Sequence, residues 1–291
     1  MSEQLKKIMV VAGPTSSGKS DFAVDLALKV KGEIISADSR QVYRGLDIGT
    51  GKITEKEMRG VPHHMLDICN INDTFSVVQF RNKALVIIED ILSRGKIPIL
   101  CGGTGYYIDA VIYNNTLPEI PIKKHLEKEL KNKTNEELFA FLLEKDSCRA
   151  ATIDRSNRMR LIRALEIVES NGKVPKLTSP LFRYDVEFYL LNPSKELLEE
   201  RVHKRLLKRF EIGMLQEMES LIAQGYEIGI LASKGIEYKW MAAYLEQKIS
   251  YEELIEKLRI ATWQYAKRQR TWNKKYYSFA KIIESVDSSN T

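Results

Sequence analysis

Short apolar runs, each too brief for a helix, recur along the chain and are followed by turns or amphipathic stretches. The first, "KIMVV" (7–11), leads through a glycine-rich loop into a segment from about Lys19 to Lys31 whose apolar residues fall at helical spacing. A second, "EII" (33–35), is followed by "SADSRQVYRG". Next comes "SVVQFRNKALVIIEDILSRG" (76–95), with apolar residues three and four apart and Gly95 placed as a C-cap. Then "IPILCGGTGYY" (97–107) reads as a buried strand entering a glycine turn and another helix. Strands alternating with helices predict a parallel sheet covered on both faces, an α/β fold.

From about Asn114 the texture changes. "NNTLPEIP" breaks the pattern, and "IKKHLEKELKNKTNEELFAFLLEKD" and "NRMRLIRALEIVESNG" read as charged helices without strands. After "KVPKLTSP", an aromatic and β-branched strand returns in "DVEFYLLN" (185–192), followed by a helix with Ser194 as its N-cap. The expected organisation is an α/β core of residues 1–113 and 184–291, interrupted by an all-helical insertion at 114–183. The remainder of the C-terminal part is expected to be helical, with a polar tail.

The 291 residues are 44% apolar and 29% charged, ordinary for a globular chain, and no apolar run approaches the length of a membrane span. The first residues lack the apolar core and cleavage site of a signal peptide. Cys69, Cys101 and Cys148 lack metal or disulfide spacing, so reduced thiols in a cytoplasmic protein are expected. The net charge of +6 matters less than its clustering, in "RSNRMRLIR" (155–163), "RVHKRLLKR" (201–209) and "YAKRQRTWNKKYY" (265–277).

"GPTSSGKS" carries the specific chemistry. Gly13, Gly18, Lys19 and Ser20 occupy the fixed positions of the phosphate loop G-x-x-x-x-G-K-[ST], between a strand and a helix as that motif requires. Backbone N–H groups from Gly13, Pro14, Thr15, Ser16, Ser17 and Gly18 onward (Pro14 excepted) and the helix N-terminus would cradle phosphates. Lys19 adds a full charge, and Ser20 is a candidate ligand for Mg²⁺. A nucleotide triphosphatase would add a metal-holding acid at the end of another strand, but "IPIL" ends in "CGGTG" without one. The acid lies after "EII", at Asp38, on the side of the sheet where ligands of open α/β sheets bind. Asp38 can be a turn residue, or can accept a proton from an incoming nucleophile. On these residues alone the chain is a transferase with a phosphate-bearing donor, and a small-molecule kinase fits as well.

"GPTSSGKS", "ISADSRQVYRGLDIGTGK", "PHHMLDI", "CGGTGYY", "RLIRALEI" and "YAKRQRTW" stand in the order in which similar motifs occur in tRNA dimethylallyltransferases, the isopentenylpyrophosphate transferases. The chain resembles that family from about residue 8 to 272. The resemblance implies a P-loop NTPase-like core whose loop grips the diphosphate of dimethylallyl diphosphate while no phosphoryl group moves. It implies prenylation of N6 of adenosine 37, beside the anticodon, in tRNAs reading codons that begin with U. Asp38 then matches the general base, Thr15 and Arg205 the groups that stabilise the leaving oxygen, and Thr104 a substrate contact. Ser39, Arg40 and Gln41 match the segment against the target nucleotide. Lys124, Arg158, Arg160 and Arg163 of the insertion, and Lys267, Arg268 and Gln269 near the C-terminus, match tRNA-facing stretches.

One departure is "GIEYKW" (Gly235–Trp240), where many members read "IGYKE". The adjacent His63 and His64 are expected to be structural rather than a metal pair. A monomer is expected. The competing functions are an adenylate isopentenyltransferase, which has less use for a basic insertion, a small-molecule kinase, and an RNA-binding module without activity.

Overall fold

Six strands form one parallel sheet in the order β3-β2-β4-β1-β5-β6. They are β1 (Lys7–Ala12), β2 (Glu33–Ser36), β3 (His63–His64), β4 (Pro98–Gly102), β5 (Asp185–Leu191) and β6 (Lys281–Ile283). The structure, a computed structural model, describes residues 5–114, 129–130, 132–175 and 181–284. The chain divides into two compact units, Met1–Tyr113 with Phe182–Thr291, and Asn114–Leu181. The larger unit resumes at Phe182, two residues before the expected boundary, because Phe182 bridges to Tyr113 and the Arg183 N–H donates to the Ile112 carbonyl.

The central strands are apolar throughout because both faces are covered. Along β1, Ile8, Val10 and Ala12 point to one face, where they meet Phe80, Ala84, Ile88 and Ile91 of α3 (Val77–Ser93). Met9 and Val11 point to the other, onto Ala23, Val24 and Ala27 of α1 (Lys19–Val30). Side chains alternate faces because the strand period is two, so a single run serves two cores. Each large side chain buried this way stabilises the fold by roughly 1.5–3 kcal/mol. The edge strands β3 and β6 were not expected, since two or three residues carry too little pattern to read. Their existence depends on pairing with β2 and β5.

Helix starts follow capping chemistry. Ser76 caps α3 with a reciprocal Gln79 bond, and Ser194 caps α8 (Lys195–Glu211) through the Leu197 N–H. Before these lie α2 (Glu55–Met58) and α4 (Gly105–Ile112). After α8 the larger unit continues with α9 (Met214–Ala223), α10 (Ile228–Ala232), α11 (Ile236–Leu245) and α12 (Tyr251–Asn273). Leu206, Met214, Met218, Leu231, Tyr238, Met241, Leu254 and Leu258 bury a further core with Val42 and Leu46. Among the described residues no helix is long and apolar enough to cross a membrane.

The smaller unit holds α5 (Asn135–Lys145), α6 (Ser147–Ala150) and α7 (Arg158–Asn171) around Leu138, Leu142, Leu161 and Leu165. Asp146 is 4% exposed and accepts the N–H groups of Arg149 and Val174. Burial opposes its charge, and the two backbone donors outweigh that and hold its carboxyl below the usual range.

At the amino end of β2, Glu33 is 2% exposed yet ionised. Arg94 grips it with both guanidinium nitrogens, Lys96 donates at 2.7 Å and His64 pairs at 2.8 Å. The Arg94 bonds, followed by those from Lys96 and His64 against the cost of burial, hold its carboxyl far below the usual glutamate value. A depressed folded-state value means that Glu33 contributes stability above the unfolded value near 4.3, and that this is lost as pH falls below it. Replacing one partner of such a buried cluster costs about 3–5 kcal/mol. In urea unfolding at pH 7, Glu33→Gln is expected to be less stable by that order, and the gap to the unmodified protein should narrow steadily below pH ~4.3.

Candidate functional site

The carboxyl ends of β1, β2 and β4 open onto one cavity of about 510 Å³, whose described lining residues belong to the larger unit. Residues 13–20 form its floor after β1, with α1 beginning at Lys19. Thr15, Lys19 and Ser20 face into it. The Lys19 ammonium donates to the Pro14 carbonyl at 3.3 Å, and burial pulls its pKa below the ordinary lysine value. Such a cation gains free energy from an anion, and the N-terminus of α1 adds its partial positive charge.

Asp38 stands two residues beyond β2 and lines the same cavity. It is the turn residue its position suggested. Its Oδ1 accepts the Arg40 N–H at 2.8 Å and the Gln41 N–H at 3.4 Å, an Asx-type turn that fixes the carboxylate. The turn is tied to the β4 loop by Thr104, whose Oγ1 accepts the Ser39 N–H at 3.2 Å and whose own N–H donates to Ala37. Thr104 therefore braces the Asp38 turn from behind. Ser39, Arg40 and Gln41 line the cavity, and the Gln41 amide donates to the Gly51 carbonyl at 3.1 Å.

The opposite wall comes from α8, where Arg201, Arg205 and Arg209 recur every four residues on one face. Arg201 donates to the Ser17 carbonyl at 3.4 Å, bracing the phosphate loop. Arg205 donates to the Gly51 carbonyl at 3.1 Å, and Arg209 to the Gly49 carbonyl at 3.3 Å and to Glu237 at 3.1 Å. The Arg209 charge, together with burial, brings Arg205 down to about 10, still fully charged at neutral pH. Gly51 has a φ of +59°, and any side chain there would strike both guanidinium groups.

Among the described residues, seven lysines and arginines line the cavity against two carboxylates, Asp38 and Glu237. The excess suits an anion of high charge. Cys101 also lines it, but burial pushes its thiol up to about 12, so it is no nucleophile at neutral pH. His63 and His64 diverge, His63 toward the Val61 carbonyl and His64 toward Glu33, which excludes a shared ion. Among the described residues no cluster of three or more His, Cys, Asp or Glu could hold a metal.

Gln269 is 7% exposed and turned inward. Its Oε1 accepts the Thr15 N–H at 2.8 Å, and its Nε2 donates to the Gly103 carbonyl at 2.9 Å. It lines the cavity and braces the phosphate loop against the β4 loop. Its neighbour Arg268 lines the cavity beside Tyr265, while Lys267 is exposed over Trp263. In the smaller unit, Arg158 donates to the carbonyls of Lys133 and Leu130, and Arg163 pairs with Glu166. Arg160 is exposed on α7. Lys124 lies outside the described residues.

Sequence reasoning passed over Arg201, Arg209, Glu237 and Tyr265. The four-residue spacing on α8 was a readable signal for the two arginines. Glu237 and Tyr265 carried none, because only tertiary packing brings them to the cavity.

The family described as IPP transferase matches residues 41–276. A tRNA dimethylallyltransferase of Exiguobacterium sp. is 40% identical over 269 residues, covering 91% of this chain and 86% of that protein. One from Macrococcus caseolyticus is 40% identical over 288 residues, covering 97% and 91%. The solved full-length tRNA isopentenylpyrophosphate transferase from Bacillus halodurans superposes with a TM-score of 0.71 at 35% identity, covering 97% of this chain and 90% of that one. A eukaryotic dimethylallyltransferase acting on tRNA gives 0.85 at 29% identity, covering 98% and 75%. With a phosphate loop facing Asp38 rather than a strand-end acid, and with likeness along nearly its whole length, the chain belongs to the IPP transferase family.

Proposed function

We propose that this protein transfers the dimethylallyl group of dimethylallyl diphosphate to N6 of adenosine 37 in tRNAs that read codons beginning with U. The observation that carries the reading is the convergence of Lys19, Asp38 and Arg205 on one positive cavity whose β4 wall ends without an acid. That arrangement suits the departure of a diphosphate better than the transfer of a phosphoryl group.

In the reaction, the adenine N6 attacks C1 of the dimethylallyl group as the bond from C1 to the bridging oxygen breaks. The bonding pair leaves with diphosphate, and the N6 proton passes to Asp38. An exocyclic aromatic amine is a weak nucleophile, so a fixed carboxylate acting as base is worth about 10²–10⁴ in rate. Negative charge gathers on the leaving group, where Arg205, Lys19 and Thr15 of the braced loop can meet it. Each such donor typically contributes about 3–4 kcal/mol of barrier lowering. Ala23, Ile34 and Ile53 supply apolar wall for the five-carbon group. Ser20, with oxygens of the diphosphate, would hold Mg²⁺, in keeping with an ion that takes few ligands from protein and several from substrate phosphates. Bound there, Mg²⁺ supplies charge neutralisation for the diphosphate.

The target base must leave its stack to enter the cavity, at a cost of a few kcal/mol that contacts elsewhere on the tRNA offset. Arg160, Lys267 and Arg268 are candidates for such contacts with the anticodon stem-loop. The protein is assigned to the cytoplasm as a monomer, and its three unpaired cysteines support a reducing compartment.

Incubation with labelled dimethylallyl diphosphate is expected to place label in tRNA and none in AMP. Label in AMP alone would make the protein an adenylate isopentenyltransferase. Asp38→Ala is expected to keep diphosphate binding, measured by calorimetry, while kcat falls by about 10²–10⁴. A fall of less than about threefold would remove Asp38 from the proposed role.

A further inference from the structure

Behind the Arg205 end of the cavity, residues 47–52 form a tight loop that is held from both sides. On the far side stands Glu217 of α9. Its Oε2 accepts the N–H groups of Asp47 at 2.9 Å and Ile48 at 2.6 Å. Its Oε1 accepts the Gly49 N–H at 3.0 Å and the Tyr238 hydroxyl at 2.6 Å. Four donors thus converge on one carboxylate. Tyr238 is fully buried, and burial together with the Glu217 charge raises its pKa, so the phenol stays a donor.

On the near side the same loop presents carbonyls. Gly51 accepts from Arg205 and Gly49 from Arg209, while Gln41 shares the Gly51 oxygen. The two arginines are like charges one helical turn apart and repel each other, so nothing in α8 alone would keep Arg205 aimed at the cavity. The loop carbonyls supply that aim. A carbonyl can do so only if the peptide carrying it cannot rotate, and the N–H groups clamped by Glu217 belong to this loop. Gly49 packs so closely on Tyr238 that an added Cβ would lie 2.5 Å from the phenol oxygen. Lys52 closes the loop by donating to the Tyr43 carbonyl at 2.9 Å and pairing with Asp47 and Asp67.

We propose that Glu217 is a positioning residue for the reaction: by capping the N–H groups of Asp47, Ile48 and Gly49, it fixes the Gly51 carbonyl that orients Arg205 toward the bound diphosphate. The chemistry requires a carboxylate, since every group facing it is a donor. A glutamine would turn an NH₂ group toward at least one of them. The inference rests on the reading of the cavity as a diphosphate site, though not on which acceptor receives the prenyl group.

The test is a double-mutant cycle read by calorimetric binding of inorganic diphosphate to the full-length protein. Glu217→Gln is expected to weaken binding about tenfold and Arg205→Lys by at least as much, with the double variant within about twofold of Arg205→Lys alone. In the transfer assay Glu217→Gln should lower kcat about tenfold or more, with KM for tRNA unchanged within about twofold. Independent losses that multiply in the double variant would overturn the proposal, as would wild-type affinity in Glu217→Gln. An Arg205→Lys protein that binds diphosphate normally would overturn it too, whatever the tRNA labelling experiment says about the reaction. If Glu217→Gln does not fold, Tyr238→Phe removes one of the four donors and carries the same cycle. About a threefold weakening that vanishes in the Arg205→Lys background supports the proposal, and an equal weakening in both backgrounds refutes it.

Discussion

Parallel pairing is the constraint on which the site depends. Because β1 pairs with β4 and β5, and β4 with β2, every strand delivers its carboxyl end to the same edge of the sheet. Three turns far apart in sequence, at Gly13, Asp38 and Gly103, therefore meet in space. An antiparallel neighbour would have sent one of them to the opposite edge. The register matters as well as the direction: Ala12 stands beside Gly102 and Ser36 beside Cys101, so the strands stop level and the turns crowd together. What braces those turns is local. Thr104 holds the Asp38 turn and Gln269 holds Thr15.

The second determinant is electrostatic. A wall carrying Arg205 and Arg209 beside Lys19 is unfavourable by itself, since like charges in a partly buried space repel. The protein offsets this with backbone rather than with carboxylates. The carbonyls of Ser17, Gly49 and Gly51 each take one guanidinium, and Glu237 pairs with Arg209. Neutral acceptors fix the direction of the charges without cancelling them. A set of salt bridges in the same place would have rigidified the wall equally and left little field for an anion.

The legible part of this architecture was the part written in local pattern. Apolar runs of strand length, helical spacing and capping serines located β1, β2, β4, β5, α1, α3 and α8, and the phosphate loop was readable from four residues. The two edge strands escaped because their pairing, not their composition, makes them strands. In the site, Asp38 could be placed by the rule that ligands bind beyond strand ends, whereas its fixing by Thr104 could not. Gln269 has a bracing role that the sequence did not show, for an instructive reason. In a stretch of cations it looks like one more surface residue, yet an amide offers both an acceptor and a donor, and here it spends them on Thr15 and Gly103. Arg158 of the insertion shows the same limit, since charge in a sequence does not say whether a carbonyl of the same unit accepts from it.

The bond between Thr15 and Gln269 spans 254 residues of chain. During synthesis the phosphate loop leaves the ribosome long before α12 exists. Until residue 269 emerges, the loop lacks the acceptor for its Thr15 N–H, and until residue 201 emerges, Ser17 lacks its guanidinium. The nascent chain can thus pair β1, β2 and β4 while its anion site is still open. Assembly of that site waits for α12, which ties competence for ligand to completion of that helix.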